Sequence, residues 1–263
     1  MLKYLNLLLL PMLLSGFCLD YQSVQGQVGY RRDQINVLGA KFNKINVIET
    51  GLLYKAEAYN IYAEVEGNYG WILTHHSSNG SSYDASGALG YNFDTCYLTV
   101  TPLLGYAAQQ DRINMHNLAS QEIDGETEHL KGILKQRWEG AWIGLQLTRS
   151  FCNWDVLLRG EYHFANLRSY VRFHFADLFE FSGHANKNNA DGVKVKLGGK
   201  YQLSPCFNVG LLATYSRFST HRAHAYGHVF VANNVPSFVT FKTSRGTSTL
   251  NSYDIKAVVE YIF

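Results

Sequence analysis

Tyr253-Asp254-Ile255-Lys256-Ala257-Val258-Val259-Glu260-Tyr261-Ile262-Phe263 is the stretch whose reading decides the fold. Ile255, Ala257, Val259, Tyr261 and Phe263 occupy every second position, with Asp254, Lys256 and Glu260 between them. Side chains alternate across a strand, so this segment has one apolar, aromatic face and one charged face. Such an apolar face needs a partner sheet or lipid against it.

The same alternation recurs upstream. Ile61, Ala63, Val65, Gly67, Tyr69, Trp71 and Leu73 alternate with Tyr62, Glu64, Glu66 and Asn68. Tyr83 to Phe93, Trp154 to Phe164, Val193 to Leu203 and Phe207 to Tyr215 repeat it. Weaker alternation covers about 27–36, 46–58, 97–107 and 134–148, for ten strands in all. Two further short segments, Val229–Val231 and Phe238–Phe241, flank Asn233, Asn234 and Pro236 and predict a hairpin above the membrane; in the ring they would make twelve.

Composition agrees with strands in lipid. Aromatic residues make up 14% of the 263, with 18 Tyr and 15 Phe, and charged residues only 17%. Soluble domains carry about 25% charged residues. No segment after the first 18 residues resembles the run of about 20 apolar residues that a membrane helix needs. The fold class is therefore all-β, a transmembrane antiparallel up-and-down β-barrel of ten strands over residues 19–263. Connections alternate between short (Ala58–Ile61, Phe93–Cys96, Ser150–Asn153, Ser204–Cys206) and long (74–82, 108–132, 169–190, 219–249), as short periplasmic turns and long external loops do. A net charge of +2 points to no nucleic-acid surface.

Residues 1–18 are expected to be a signal peptide. Lys3 precedes a leucine-rich run from Leu5 to Leu14, and Ser15 and Gly16 follow. A basic start, about ten apolar residues and a small-residue exit describe a secretory signal too short to span a bilayer. Cleavage is expected after Cys18; Phe17, standing between the small residues and Cys18, argues against a lipoprotein. A terminal strand ending in Tyr261 and Phe263 resembles the assembly signal of bacterial outer-membrane barrels, which implies the barrel assembly machinery and outer-membrane lipid as partners.

The polar faces point into the barrel and supply Glu49, Lys55, Glu57, Glu64, Glu66, Asp84, Arg159, Glu161, His163, Lys194, Lys196, Lys200, Lys256 and Glu260. Ten strands enclose little more than the eight-strand case, whose interior side chains fill. Both charge signs there are expected to pair into a plug, since an unpaired buried charge costs several kcal/mol. A narrow pore between them is the alternative.

Gly29-Tyr30-Arg31-Arg32-Asp33, Asn68-Tyr69-Gly70 and Gly160-Glu161-Tyr162-His163 resemble an outer-membrane protein family of chlamydia-like (Protochlamydia-type) bacteria. The resemblance implies an omptin-like ten-stranded barrel in the outer membrane, and no chemistry.

Omptin proteases carry paired aspartates on one wall and an Asp-x-His pair on the other, to activate a water. This chain has no Asp-x-Asp and no Asp-x-His, and Asp177 and His184 are loosely spaced. His76-x-Ser78-Asn79-Gly80 resembles the motif of outer-membrane lipid A deacylases, with His76 activating Ser78. It stands early, in an expected polar loop, and lacks a third group, so no catalytic residue is assigned. His221, His224 and His228 have metal-ligand spacing but no ordered frame around them, so neither metal nor cofactor is expected.

Cys96, Cys152 and Cys206 all fall at expected periplasmic turns. Turns two strands apart stand about 10 Å from one another around the rim. A disulfide needs Cα atoms within about 7 Å, so pairing inside one barrel is disfavoured. The thiols are either idle turn residues or links to other envelope proteins, and the resemblance tilts toward links.

Overall fold

The computed structural model describes residues 19–37, 40–41, 44–73, 78–115, 120–123, 126–129, 131–175, 179–220, 223–231, 237–246 and 248–263. The expected signal segment 1–18 lies outside the described residues.

Ten strands make the ring: β1 Tyr21–Val37, β2 Ile45–Ala58, β3 Ile61–Leu73, β4 Ser78–Tyr91, β5 Thr99–Met115, β6 Lys131–Phe151, β7 Trp154–Phe175, β8 Phe179–Ser204, β9 Phe207–Thr220 and β10 Thr249–Ile262. Each pairs antiparallel with the next, and β10 returns to β1 from Ser23↔Ile262 to Asn36↔Thr249. A closed ladder leaves no unpaired edge, which is what lipid demands of a strand structure.

Ala223–Val231 and Ser237–Gly246 pair with each other, and the first lies along the outer stretch Phe179–Asn186 of β8. They stand beside the ring, so twelve strands do not form. At the periplasmic end, Ala58 pairs with Ile61 across Tyr59 and Asn60, whose φ angles are 52° and 66°. Positive φ at both turn residues matches the twist of the flanking strands.

The burial pattern inverts along the barrel axis. In the lower part, outward residues such as Val65, Leu104, Leu158, Leu197 and Ile255 are apolar and exposed, while inward ones are polar and buried. On β6 this band runs from Phe151 to Ala141. Ten steps of about 3.3 Å, tilted about 40°, span about 25 Å, the height of a lipid-facing band. Exposed aromatics edge it on both sides: Tyr30, Trp71, Tyr83, Tyr106, Phe164 and Tyr253 above, and Tyr91, Phe93, Phe151, Trp154, Phe207 and Tyr261 below. Above the upper row the outward residues become polar, as at Arg32, Arg112, Lys135, Arg137, Arg168 and Arg217. The inward ones there become apolar: Ile35, Val47, Ile113, Leu134, Leu167 and Leu250 form one buried cluster. The upper barrel is thus a water-soluble barrel stacked on a membrane one.

The long loops expected at 74–82, 108–132 and 169–190 are a correction. β4 begins at Ser78, β5 runs to Met115, β7 to Phe175, and β8 starts at Phe179, so strands occupy most of that length. Their sequences looked irregular because water outside relaxes the demand for an apolar outward face, leaving backbone pairing to extend the ladder without strict alternation. Asn79 and Gly80, read as loop, pair with Leu73 and Ile72.

Candidate functional site

Between the two aromatic rows the lumen holds ion pairs in three tiers, and nearly every charge is buried. The lowest centres on Glu260, which is fully buried. It meets Lys200 at 2.6 Å and Lys55 at 3.5 Å, and accepts from Ser23 at 3.0 Å and Asn208 at 3.0 Å. These partners come from β8, β2, β1 and β9, so one carboxylate on the last strand ties together the seam where the ring closes.

The middle tier crosses the barrel. Arg159 on β7 reaches Glu64 on β3 at 2.6 Å and Glu161 at 2.7 Å, and its guanidinium lies 4.7 Å from the centre of the Trp142 ring. Lys196 meets Glu66 at 3.0 Å and Glu161 at 3.7 Å. Tyr62 donates to Glu64 at 2.7 Å. Trp142 fits because β5 has Gly105 beneath it: a Cβ there would come within 2.4 Å of the indole.

The upper tier gathers around Arg31 and Lys256. Arg31 donates to Asp33 at 2.9 Å, to Asp111 at 3.0 Å, to Ser82 at 2.8 Å, and to Glu49. Lys256 holds Glu49 at 3.3 Å and Asp254 at 3.3 Å, and donates to Asn68 at 3.2 Å. Lys194 and Asp84 form a loose pair at 4.0 Å. Trp138 and Phe218, with ring centres 5.5 Å apart, cap the tier from the apolar cluster above.

Thirteen of the fourteen expected lumen residues meet in this network. The exception is Glu57, half-buried at the periplasmic end, which has no ion pair among the described residues. Sequence reasoning missed Arg31, Asp33, Asp111 and Asp254. Parity was the available signal: Arg31 and Asp33 share the face of Gln25 and Gln27, and Asp254 that of Lys256. Two small cavities of about 50 Å³ each flank the middle tier, one above and one below, and Glu66 and Lys196 line both.

The chemistry of this arrangement is charge neutralisation. His163, the only histidine among the described side chains, is held at 2.9 Å by Glu161 and packs between Trp142 and Phe218. Among the described residues no group of three or more His, Cys, Asp or Glu is placed to hold a metal ion. His76, Asp177 and His221 lie outside the described residues, as do the side chains of Ser78, His184, His224 and His228.

The profile of a family described as Protochlamydia outer membrane protein matches residues 73–263. The chain belongs to that family. Its place is the outer membrane, in keeping with the lipid-facing band. No curated protein sequence matches the chain. Among solved structures, it is similar to the outer membrane protease OmpT from Escherichia coli, at a TM-score of 0.64 and 11% identity, over 94% of this chain and 99% of that one. It is also similar to the translocator domain of the autotransporter NalP from Neisseria meningitidis, at a TM-score of 0.50 and 14% identity, over 98% and 95%. At these identities the likeness shows the barrel fold alone.

As a member of this family, the chain carries Cys96, Cys152 and Cys206 exposed and unbridged on three successive periplasmic turns. Tyr261 and Phe263, at the same periplasmic end of the closing seam, are exposed on the lipid face, and the Ile262 N–H between them donates to the Cys206 carbonyl at 2.9 Å.

Proposed function

We propose that this family member is a non-catalytic outer-membrane scaffold. Its lumen is shut by ion pairs, and its strand extensions stand at the cell surface as an interaction platform. The observation that carries this reading is the burial of the lumen charges beneath the apolar cluster of Ile35, Val47, Leu134, Leu167 and Leu250. Pairing across the barrel offsets the desolvation of each charge, and removal of one partner would strand the other. Tyr261 and Phe263 act as the assembly signal read by the barrel assembly machinery, and residues 1–18 as the cleaved signal peptide.

The three exposed thiols extend the role to the periplasmic side. Their turns are separated by two strands, about 10 Å, which is beyond the reach of a disulfide within one barrel. Thiols of neighbouring envelope proteins are the partners proposed for them.

A narrow pore is the second reading, and one observation favours it. The upper and lower cavities share Glu66 and Lys196, so side chains rather than a folded plug part them. Planar-bilayer recording of the purified barrel separates the two readings. The scaffold reading expects no steady unitary steps from the native protein, and steps only from Glu66→Ala combined with Lys196→Ala. Reproducible steps from the native protein would establish the pore and remove the scaffold reading.

A further inference from the structure

The outer wall of β5, β6 and β7 carries a charge arrangement that the barrel's own stability does not explain. Lys135 on β6 lies directly opposite Arg112 on β5, and Arg137 on β6 directly opposite Arg168 on β7. Lys135 and Arg137 are two residues apart, so all four side chains share the outward face, and all four residues are exposed. Like charges directly opposite on neighbouring strands destabilise a sheet. Here two such pairs sit side by side, with one carboxylate to serve them. Glu139 meets Arg137 at 2.5 Å and Arg168 at 3.5 Å, leaving Lys135 and Arg112 without an acid among the described ion pairs.

The height of the patch identifies what supplies the missing anions. Directly below it on the same wall are Tyr106, Phe164, Tyr162 and Ile143, all outward, apolar and exposed. The outward face therefore changes from lipid-facing to polar within two to four residues of Arg137. Aromatic rows of this kind mark the level of the lipid headgroups. Arginine forks match phosphate oxygens with two parallel hydrogen bonds, and a neighbouring lysine adds a point charge. Elsewhere around the barrel, the outward cations at this height among the described side chains are single and face neutral partners, as with Arg32 opposite Tyr253 and Asn46. Arg217 likewise faces Val193 and Asn251.

We infer that Arg112, Lys135, Arg137 and Arg168 form a docking site for the phosphorylated headgroup of a lipid in the surrounding outer leaflet. The acyl chains run down over Tyr106, Phe164 and Ile143, while the headgroup phosphates sit among the four cations. Gln110, opposite Arg137, adds a polar side chain at the same level.

The test uses the purified full-length mature barrel in detergent micelles. Its thermal unfolding, read by the loss of the unheated gel band, is followed as bisphosphorylated lipid A is titrated in. Parallel arms use the same lipid stripped of phosphate, and inorganic phosphate at matched concentration. Saturable stabilisation is expected with the phosphorylated lipid alone. Arg137→Gln with Arg168→Gln should raise the half-saturating concentration by about tenfold or more, as expected for losing a bidentate phosphate contact. Without lipid, Arg112→Gln with Lys135→Gln should be at least as heat-stable as the native protein, because it relieves a like-charge pair and takes no partner from Glu139. Arg32→Gln with Arg217→Gln should leave the titration unchanged.

Equal stabilisation by phosphate-free lipid or by inorganic phosphate would overturn the assignment. So would an equal loss in the Arg32 and Arg217 control, which would reduce the effect to general surface charge. A lipid-free Arg112→Gln, Lys135→Gln variant less stable than the native protein would show that the cations serve the fold instead.

Discussion

Glu260→Gln keeps the volume of the side chain and removes its charge at the seam where the barrel closes. In the native protein Glu260 is, among the described residues, the only carboxylate paired with Lys200, at 2.6 Å, and with Lys55, at 3.5 Å. Ser23 and Asn208 donate to opposite oxygens of the carboxylate, so the single amide oxygen keeps one of these hydrogen bonds and gives up the other along with the charge. Two ammonium groups are then left together in a lumen where their side chains are 17% and 11% exposed. Stranding a buried partner costs about 3–5 kcal/mol, and the residual exposure of Lys200 places this case near about 3 kcal/mol. Lys55→Met with Lys200→Met, added to Glu260→Gln, should recover most of that loss, because the stranded charges are gone. Equilibrium urea unfolding in lipid vesicles, followed by tryptophan fluorescence and by heat-dependent gel mobility, measures both. A loss below about 1 kcal/mol for Glu260→Gln would match an exposed ion pair and refute the reasoning.

Leu197 faces lipid midway along β8, flanked by Leu158 and Ala213. Leu197→Arg should destabilise by about 2–4 kcal/mol in the same assay, while Gln202→Arg at the periplasmic rim should be tolerated; the reverse ranking would invert inside and outside. Native envelopes run on non-reducing gels should show higher-mass species that collapse with a thiol reductant, and Cys96→Ser, Cys152→Ser or Cys206→Ser should each change the ladder. A single monomer band with all three thiols open to alkylation would leave them as turn residues.

The lipid-embedded part of the barrel was legible in the sequence because two solvents act on each strand at once. Lipid selects Val65, Leu197 and Ile255 outward and the enclosed lumen selects Glu64, Lys196 and Lys256 inward, so a period of two survives in the residues themselves. The upper part was not legible for the opposite reason. There Arg32, Lys135 and Arg168 face water, Ile35, Leu134 and Leu167 face a core, and the polarity of the two faces is exchanged. A single pattern followed along β6 or β7 therefore breaks at the membrane surface and reads as a loop, although the ladder continues.

Taken alone, the sequence determined the strand count, the direction each face points and the identity of most lumen charges, because these depend on local periodicity and on the solvent each face meets. Tertiary structure alone decided which charges meet. Arg159 finds Glu64 across 95 positions of chain, and Arg31 finds Asp111 across 80, because closing ten tilted strands into a ring sets the stagger between walls. It also decided that Arg112, Lys135, Arg137 and Arg168 form one patch, since strand register aligns residues that nothing in their own neighbourhood relates.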